Sequence, residues 1–378
     1  MPFFIGHDRE VRRCYGFDEI ALVPSGAGVE PDSVDTSLKI GDILLDIPVL
    51  ASAVDGVVDT RFAIEMGKLG GLGVLNLDGI NTRYEKPREV VARIAAAGPR
   101  DAARLVREIY REPTKERLIA RRVSEIVKTN VPCAVSTTPE NADEYGPIAQ
   151  EAGCDIFVVQ SMTAAARHPS TRHKPFDIAS FCERMEVPVV VGNSVGFDVA
   201  VELMEAGISG LLVGVGPNAS SPARRVLGLG VPQATATIDS AAARDFYFKK
   251  TGRYVPVIAD GGIGKGGDLC KAIACGADGA MIGSPLARAE EAPGQGYHWG
   301  ATTREGLPLG ARVHVGVTGT LKEVLFGPRL DDGSQNLVGA LKTCMGAVGA
   351  STIKEMQLTE IIIALATRAE GGMSSGPT

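Results

Sequence analysis

The sequence has no CxxC pair. Its seven cysteines, Cys14, Cys133, Cys154, Cys182, Cys270, Cys275 and Cys344, are scattered, so neither a zinc site nor a disulfide framework is indicated. Several lie in apolar runs, which reads as reduced, mostly buried thiols in a cytosolic protein. Basic residues do not dominate. Lys and Arg number 39 against 45 Asp and Glu, a net charge of -6, which argues against a nucleic-acid or anionic-membrane surface. A local pocket for a small anion stays open. No window approaches the roughly 18 uninterrupted apolar residues of a membrane helix, and the opening MPFFIGHDREVRRCYG is too weakly apolar for a signal peptide. The histidines His7, His168, His173, His298 and His314 form no metal-like pair at helical spacing, and most read as solvated.

Aromatic residues make up only 5% of the chain, with one tryptophan, while glycines number 46 and hydrophobic residues reach 44%. Small aliphatic residues in that proportion suit a parallel sheet buried on both faces. Eight short apolar runs are strand candidates: PVLASAV (48–54), GLGVLN (71–76), VPCAVS (131–136), DIFVVQ (155–160), VPVVVG (187–192), GLLVG (210–214), VPVIAD (255–260) and GAMIG (279–283). The lead-ins EAGCD, EAGIS and ACGAD each read as a helix end turning through glycine into the next strand.

Eight such units predict a (β/α)8 TIM barrel, one domain over residues 1–370 with a disordered tail at 371–378. A doubly wound open sheet is the runner-up, because GIGKGG places Gly262, Gly264 and Gly267 at dinucleotide-loop spacing. Two stretches depart from the repeat. Residues 78–120 form a charged insertion in which REIYREPTKERLIARR reads as helical. Residues 288–336 form a long loop after the eighth strand, expected to be a lid.

Barrel chemistry sits where strands end. Those ends supply Ser52 to Asp55, Asn76, Ser136 and Thr137, Gln160, Gly192 and Asn193, the Gly214–Arg225 loop, Asp260 to Gly262, and Gly283 with Ser284. No strand ends in lysine, which removes the Schiff-base nucleophile of an aldolase. Glycines with one hydroxyl, in ADGGI and IGS, suit a phosphate dianion. Asp260 would accept hydrogen bonds from sugar hydroxyls or cap the following helix.

The stretches YGFDEIALVPS, IPVLASAVDGVVDTRFAIEMGKLGGLGVLN, GVGPN…RVLGLGVPQATA, VPVIADGGI, GADGAMIGSPLARAEEAPG and LVGALKTCMGAVGAS together resemble the IMP dehydrogenase/GMP reductase family. RYVPVIADGG and GYHWGATT bring the chain nearest to a third bacterial branch that lacks CBS modules, and the 78–120 insertion is too short to hold them. The resemblance implies an NAD(P)-linked oxidoreductase of purine nucleoside monophosphates, IMP or GMP, assembled as a homotetramer. It implies that Asp260 holds the ribose and that Gly261, Gly262, Gly283, Ser284 and Tyr297 hold the phosphate. Ser52 would touch the nucleotide, and Gln160, Asn193, Gly214 and Gly216 would face the dinucleotide, NAD or NADP. Gln160 stands at the family's nicotinamide-side aspartate.

The same resemblance exposes a loss. The family's loop cysteine attacks the purine C2, and that position is Ser221 here, with Pro222 and Ala223 at the two following threonines. A serine hydroxyl needs a general base, and NASSPARR supplies none. The dehydrogenase's water-activating Arg-Tyr pair also has no counterpart, because neither Arg304 nor Arg312 precedes a tyrosine. Two expectations of different class follow: an oxidoreductase, in the GMP-reductase direction with NADPH, or a catalytically silent nucleotide-binding homologue.

Overall fold

In the computed structural model, residues 3–161, 163–164, 167–168, 176–216, 226–300, 312–327 and 335–364 are described. All eight apolar runs are strands: β1 (Val49–Ala51), β2 (Leu72–Asn76), β3 (Ala134–Thr137), β4 (Ile156–Gln160), β5 (Val189–Ser194), β6 (Gly210–Val213), β7 (Val257–Asp260) and β8 (Gly279–Ile282). Each pairs in parallel with its neighbours, and β8 closes on β1 through Ala280↔Val49, Met281↔Leu50 and Ile282↔Ala51. The sheet is a closed barrel, so the open doubly wound alternative is excluded.

Eight helices follow the strands: α1 (Thr60–Lys68), α2 (Glu116–Val127), α3 (Pro139–Glu151), α4 (Ile178–Arg184), α5 (Phe197–Glu205), α6 (Gln233–Thr251), α7 (Gly266–Ala274) and α8 (Leu337–Val348). The repeated lead-ins explain three of their ends. Gly153, Gly207 and Gly276 have φ of +96°, +94° and +103°, the left-handed turn that ends a helix and suits glycine. Among the described residues no helix is long and apolar enough to cross a membrane.

Strand alternation divides the core in two. Leu50, Leu72, Val74, Ala134, Ile156, Val158, Val190, Leu212, Ile258 and Met281 fill the barrel interior. Their chain neighbours, such as Val49, Val135, Phe157, Val191 and Val257, pack outward under the helices. An antiparallel hairpin, Leu38–Ile40 with Ile43–Leu45, plugs the N-terminal end, and its Leu38, Ile40 and Leu45 join the interior cluster.

The insertion is helical, in more than one piece. REIYREPTKERLIARR spans the end of one helix and the start of another: Pro99–Ile109 ends before Pro113, and Glu116 opens α2. Proline lacks the N–H and restricts the residue before it, so the helix cannot run through. The segment after β8 is likewise more than a loop. It pairs Tyr297–His298 with Val313–His314 and carries a helix at Leu321–Phe326. Ile80, Val90, Ile94, Val106, Ile109, Tyr110 and Trp299 form one buried cluster, so the insertion packs directly on this segment.

Because the interior is filled by side chains at full burial, a truncation there leaves a hole. Leu212→Ala should cost roughly 2–5 kcal/mol of unfolding free energy, read as a lower urea midpoint at unchanged m-value.

Candidate functional site

The alternation that fills the barrel also builds its rim. Two residues beyond the inward Leu50, Val74, Ala134, Val158, Leu212, Ile258 and Met281 stand Ser52, Asn76, Ser136, Gln160, Gly214, Asp260 and Gly283. A period of two sends these to the same side as the core residues below them. The rim is therefore the polar top layer of the interior, and it contains Ser52, Gln160, Gly214, Asp260 and Gly283 of the candidate site residues.

Asp260 lies at its centre and is 4% exposed. Its Oδ2 accepts from Asn193 Nδ2 at 2.6 Å and from Gln160 Nε2 at 2.9 Å. Both bonds fall on one oxygen, and no cation pairs with the group among the described residues. Burial pushes Asp260 up to about 6, while the two amides hold it down. Helix capping is not its role, since α7 is capped at Lys265 and the carboxylate faces β4 and β5 instead. Asn193 reaches it from a register shift in the β5–β6 pairing between Gly192 and Ser194.

Gly214 adjoins this carboxylate. Its φ is +151°, and a Cβ there would lie 2.1 Å from the Asp260 carbonyl oxygen and 2.9 Å from Gln233 Oε1. Only glycine fits. Two buried polar atoms beside this turn, Ser194 Oγ and Gln233 Oε1, have no hydrogen-bond partner among the described residues. Such atoms carry a desolvation cost unless a ligand meets them. Gly216 follows at φ +81°, and Ser221 lies outside the described residues, as does the rest of the loop to Arg225.

On the β7, β8 and β1 side, Gly261 and Gly262 turn consecutively through φ of +93° and +75°. Gly283 approaches Ser52, with 3.6 Å between a Cβ built there and the serine Cβ. Ser284 Oγ and His298 Nε2 are 2.9 Å apart. His298 is buried rather than solvated, and burial lowers its pKa. Tyr297 turns instead to the lid: its ring stacks on His314 at 4.3 Å, with the Arg312 guanidinium 4.4 Å from its centroid. The structure thus gathers Gln160, Asn193, Gly214 and Asp260 in one group, and Ser52, Gly283 and Ser284 in another beside it.

Sequence reasoning missed the network that joins the insertion to the segment after β8. Asp55 is fully buried and accepts from Tyr110 Oη, from the Ile80 amide at 3.0 Å and from Asn81 Nδ2 at 3.3 Å. Trp299 Nε1 donates to Tyr110 Oη at 3.0 Å. One acid after β1 therefore ties the insertion, and through Tyr110 the Trp299 side chain, to the barrel. Burial pushes Asp55 up to about 6, against the pull of these bonds. The only signals were a strand-end acid and the single tryptophan, and neither reveals a partner 55 positions away. Asp78 plays a comparable part, accepting from Thr137 Oγ1 at 2.9 Å and the Thr138 amide at 2.8 Å. It thereby joins the β2 loop to the start of α3.

Tyr110→Phe should strip one donor from buried Asp55 and cost about 1–3 kcal/mol. The sign with pH follows from the raised acid. Stability linked to Asp55 is fully present below its unfolded value of 3.8 and is lost as pH rises through about 6. Removing the tyrosine hydroxyl raises the folded value further, so the deficit should be larger at pH 8 than at pH 4.5. Paired melts of both proteins measure it; an equal deficit at both values would exclude this account.

Comparison with known proteins agrees with this geometry. The model of the IMP dehydrogenase / GMP reductase domain matches residues 14–374. A protein described as an uncharacterized oxidoreductase of Mycobacterium tuberculosis is 38% identical over 364 residues, covering 93% of this chain and 97% of the relative. The inosine-5'-monophosphate dehydrogenase of Cryptosporidium parvum is 29% identical over 373 residues, covering 90% and 89%. The crystal structure of an IMP dehydrogenase/GMP reductase-like protein from Corynebacterium glutamicum superposes with a TM-score of 0.90 at 35% identity, covering 96% of this chain and 97% of that one. A closed eight-stranded barrel with a carboxylate-centred rim, matched by the domain over nearly its whole length, makes this chain a member of the IMP dehydrogenase/GMP reductase family.

Proposed function

We propose that the barrel rim binds a purine nucleoside monophosphate, IMP or GMP, and that the chain is an NAD(P)-linked oxidoreductase of it, in the GMP-reductase direction with NADPH. The observation that carries this reading is Asp260. A carboxylate at 4% exposure, held by two amides and no cation, is unfavourable for folding and suits a ligand diol that donates to it. Both existing bonds use Oδ2, which leaves Oδ1 for ribose hydroxyls. Consecutive glycine turns at Gly261 and Gly262, with Gly283, Ser284 and Ser52 alongside, offer backbone N–H groups and hydroxyls to a phosphate. His298 adds a ring nitrogen on Ser284; Tyr297, stacked on His314, would have to leave that stack to join them.

The residues on the other side suit a dinucleotide. Gly214 clears backbone space beside Asp260, and Ser194 Oγ and Gln233 Oε1 there have no partner among the described residues. Gln160, Asn193, Gly214 and Gly216 would hold NAD or NADP, which when bound supplies hydride transfer at the purine. Gln160 and Asn193 orient the Asp260 carboxylate, and the insertion and lid base, tied through Asp55, exclude water from the rim. Homotetrameric assembly belongs to the same reading.

A second reading rests on one observation: Ser221-Pro222-Ala223 stands where the family has Cys-Thr-Thr. Serine attack on C2 without a base is slow, and this favours a nucleotide-binding homologue with little or no turnover.

Titration with IMP and GMP against their nucleosides tests the site. A monophosphate at a hundred times its Kd should stabilise by about 2.7 kcal/mol, and the nucleoside should not match it. NADPH oxidation with the better binder then separates the two readings. Restoring Cys-Thr-Thr at 221–223 should create or raise GMP reduction, and turnover by the natural chain that survives Ser221→Ala would overturn the assignment of this loop.

Asp260→Asn should separate binding from stability. The raised acid contributes stability below 3.8 that is lost as pH passes about 6. A shift of this size corresponds to about 3 kcal/mol, so the variant should melt above the natural protein at pH 8 and lose that advantage near pH 4. Nucleotide binding should fall at least tenfold, a cost of about 1.4 kcal/mol or more. Unchanged binding at pH 8 would sink the ribose role.

A further inference from the structure

Cys270 and Cys344 stand apart from the other thiols. Cys270 is buried on α7 and Cys344 half-buried on α8, and both are free. The two helices pack together, and both cysteines line one cavity of about 490 Å3, beside Leu22, Lys271, Ala340 and Ala347. This cavity lies on the helical layer, between α7 and α8. Cys270 Sγ is 3.6 Å from the Ala340 carbonyl oxygen. Ala340 lies one turn before Cys344, and a helical side chain leans back over the turn that precedes it. The Cys344 side chain is therefore directed toward the Cys270 sulfur, across the seam where Gly266 of α7 meets Ala340 of α8.

Their surroundings divide the labour. Burial pushes Cys154 and Cys275 up to about 12 and Cys182 to about 11. Cys344 moves the other way, lowered by the neighbouring Cys270 thiol. The same pairing, with burial, raises Cys270 well above the ordinary thiol range. The accessible partner is the better nucleophile, and the buried one keeps its proton until the first has reacted.

We propose that Cys270 and Cys344 form a dithiol site that takes a hydroperoxide at Cys344 and closes a disulfide tying α7 to α8. In the first step the Cys344 thiolate attacks the peroxide: an S–O bond forms, the O–O bond breaks, and the leaving oxygen departs as water or alcohol after taking a proton. Cys270 then attacks the Cys344 sulfur. The S–S bond forms, the S–O bond breaks, and hydroxide leaves with the Cys270 proton as water. Two thiols are oxidised to one disulfide, and one peroxide is reduced. A thiol reductant reverses the bridge by exchange. The consequence reaches toward the rim, since α7 begins at Gly266, shortly after the Gly261–Gly262 turn.

The full chain tests this directly. Reduced protein treated with equimolar hydrogen peroxide, alkylated while folded and digested without reductant, should yield a Cys270–Cys344 linked peptide that dithiothreitol abolishes. Cys344 should lose alkylation about tenfold faster than Cys14 or Cys182, as expected of the more thiolate-like group. In Cys270→Ser the reaction should stop at the sulfenic acid, captured by dimedone on Cys344. In Cys344→Ser no linked peptide should form and Cys270 should stay reduced. Circular dichroism checks that each variant folds, and the natural chain decides the matter if one does not. Complete consumption of peroxide with no linked peptide, or oxidation that falls first on Cys14 or Cys182, would overturn the proposal.

Discussion

The pairing of β8 with β1 is the constraint from which the rest of the molecule follows. Closing the sheet removes its edges, so every barrel strand has a hydrogen-bonding neighbour on each side. It also buries each strand on both faces, one against the interior and one against the helices. Polar side chains can then appear only where the strands end. At the N-terminal end a hairpin seals the interior with Leu38, Ile40 and Leu45. At the C-terminal end the next inward positions on seven strands are Ser52, Asn76, Ser136, Gln160, Gly214, Asp260 and Gly283. Site and core are consecutive layers of one alternation.

Two acids at this end, Asp260 and Asp55, share a physical state and differ in use. Burial pushes both to about 6. Asp55 is met by a phenol, a backbone amide and a side-chain amide, so its hydrogen-bonding needs are met within the protein and it serves as an anchor. Asp260 is met by two amides on one oxygen. Its remaining oxygen has no partner among the described residues, and the proposed ribose contact rests on that. The distinction lies in what each carboxylate lacks, because a satisfied buried acid has nothing left to offer a ligand.

Much of this was legible in the sequence because it depends on local pattern. Unbroken apolar runs gave the eight strands, the Ala-Gly lead-ins gave the helix ends at Gly153, Gly207 and Gly276, and strand ends gave the rim. What stayed hidden depends on distant pairing. No local feature ties Asp55 to Tyr110 and Trp299, brings His298 onto Ser284, or turns Tyr297 toward His314. A charged stretch such as REIYREPTKERLIARR reads as helical by propensity, although Pro113 divides it. Cysteine spacing was equally silent about Cys270 and Cys344, which meet only because α7 and α8 pack side by side.

Gln160 shows how such a site can change one part without losing the others. The resemblance sets it at the family's nicotinamide-side aspartate, and in this structure its amide donates to Asp260 at 2.9 Å. A carboxylate at that position would place two like charges within hydrogen-bonding distance, and one of them would take up a proton near neutral pH. The amide removes that conflict and supplies a donor to the Asp260 carboxylate. Under the proposed function, a ribose contact at Asp260 does not require that aspartate, and the turn at Gly214 does not require a cysteine seven residues later. In that reading ligand binding belongs to the rim layer and covalent chemistry to the segment that carries Ser221, so the two functions can diverge independently.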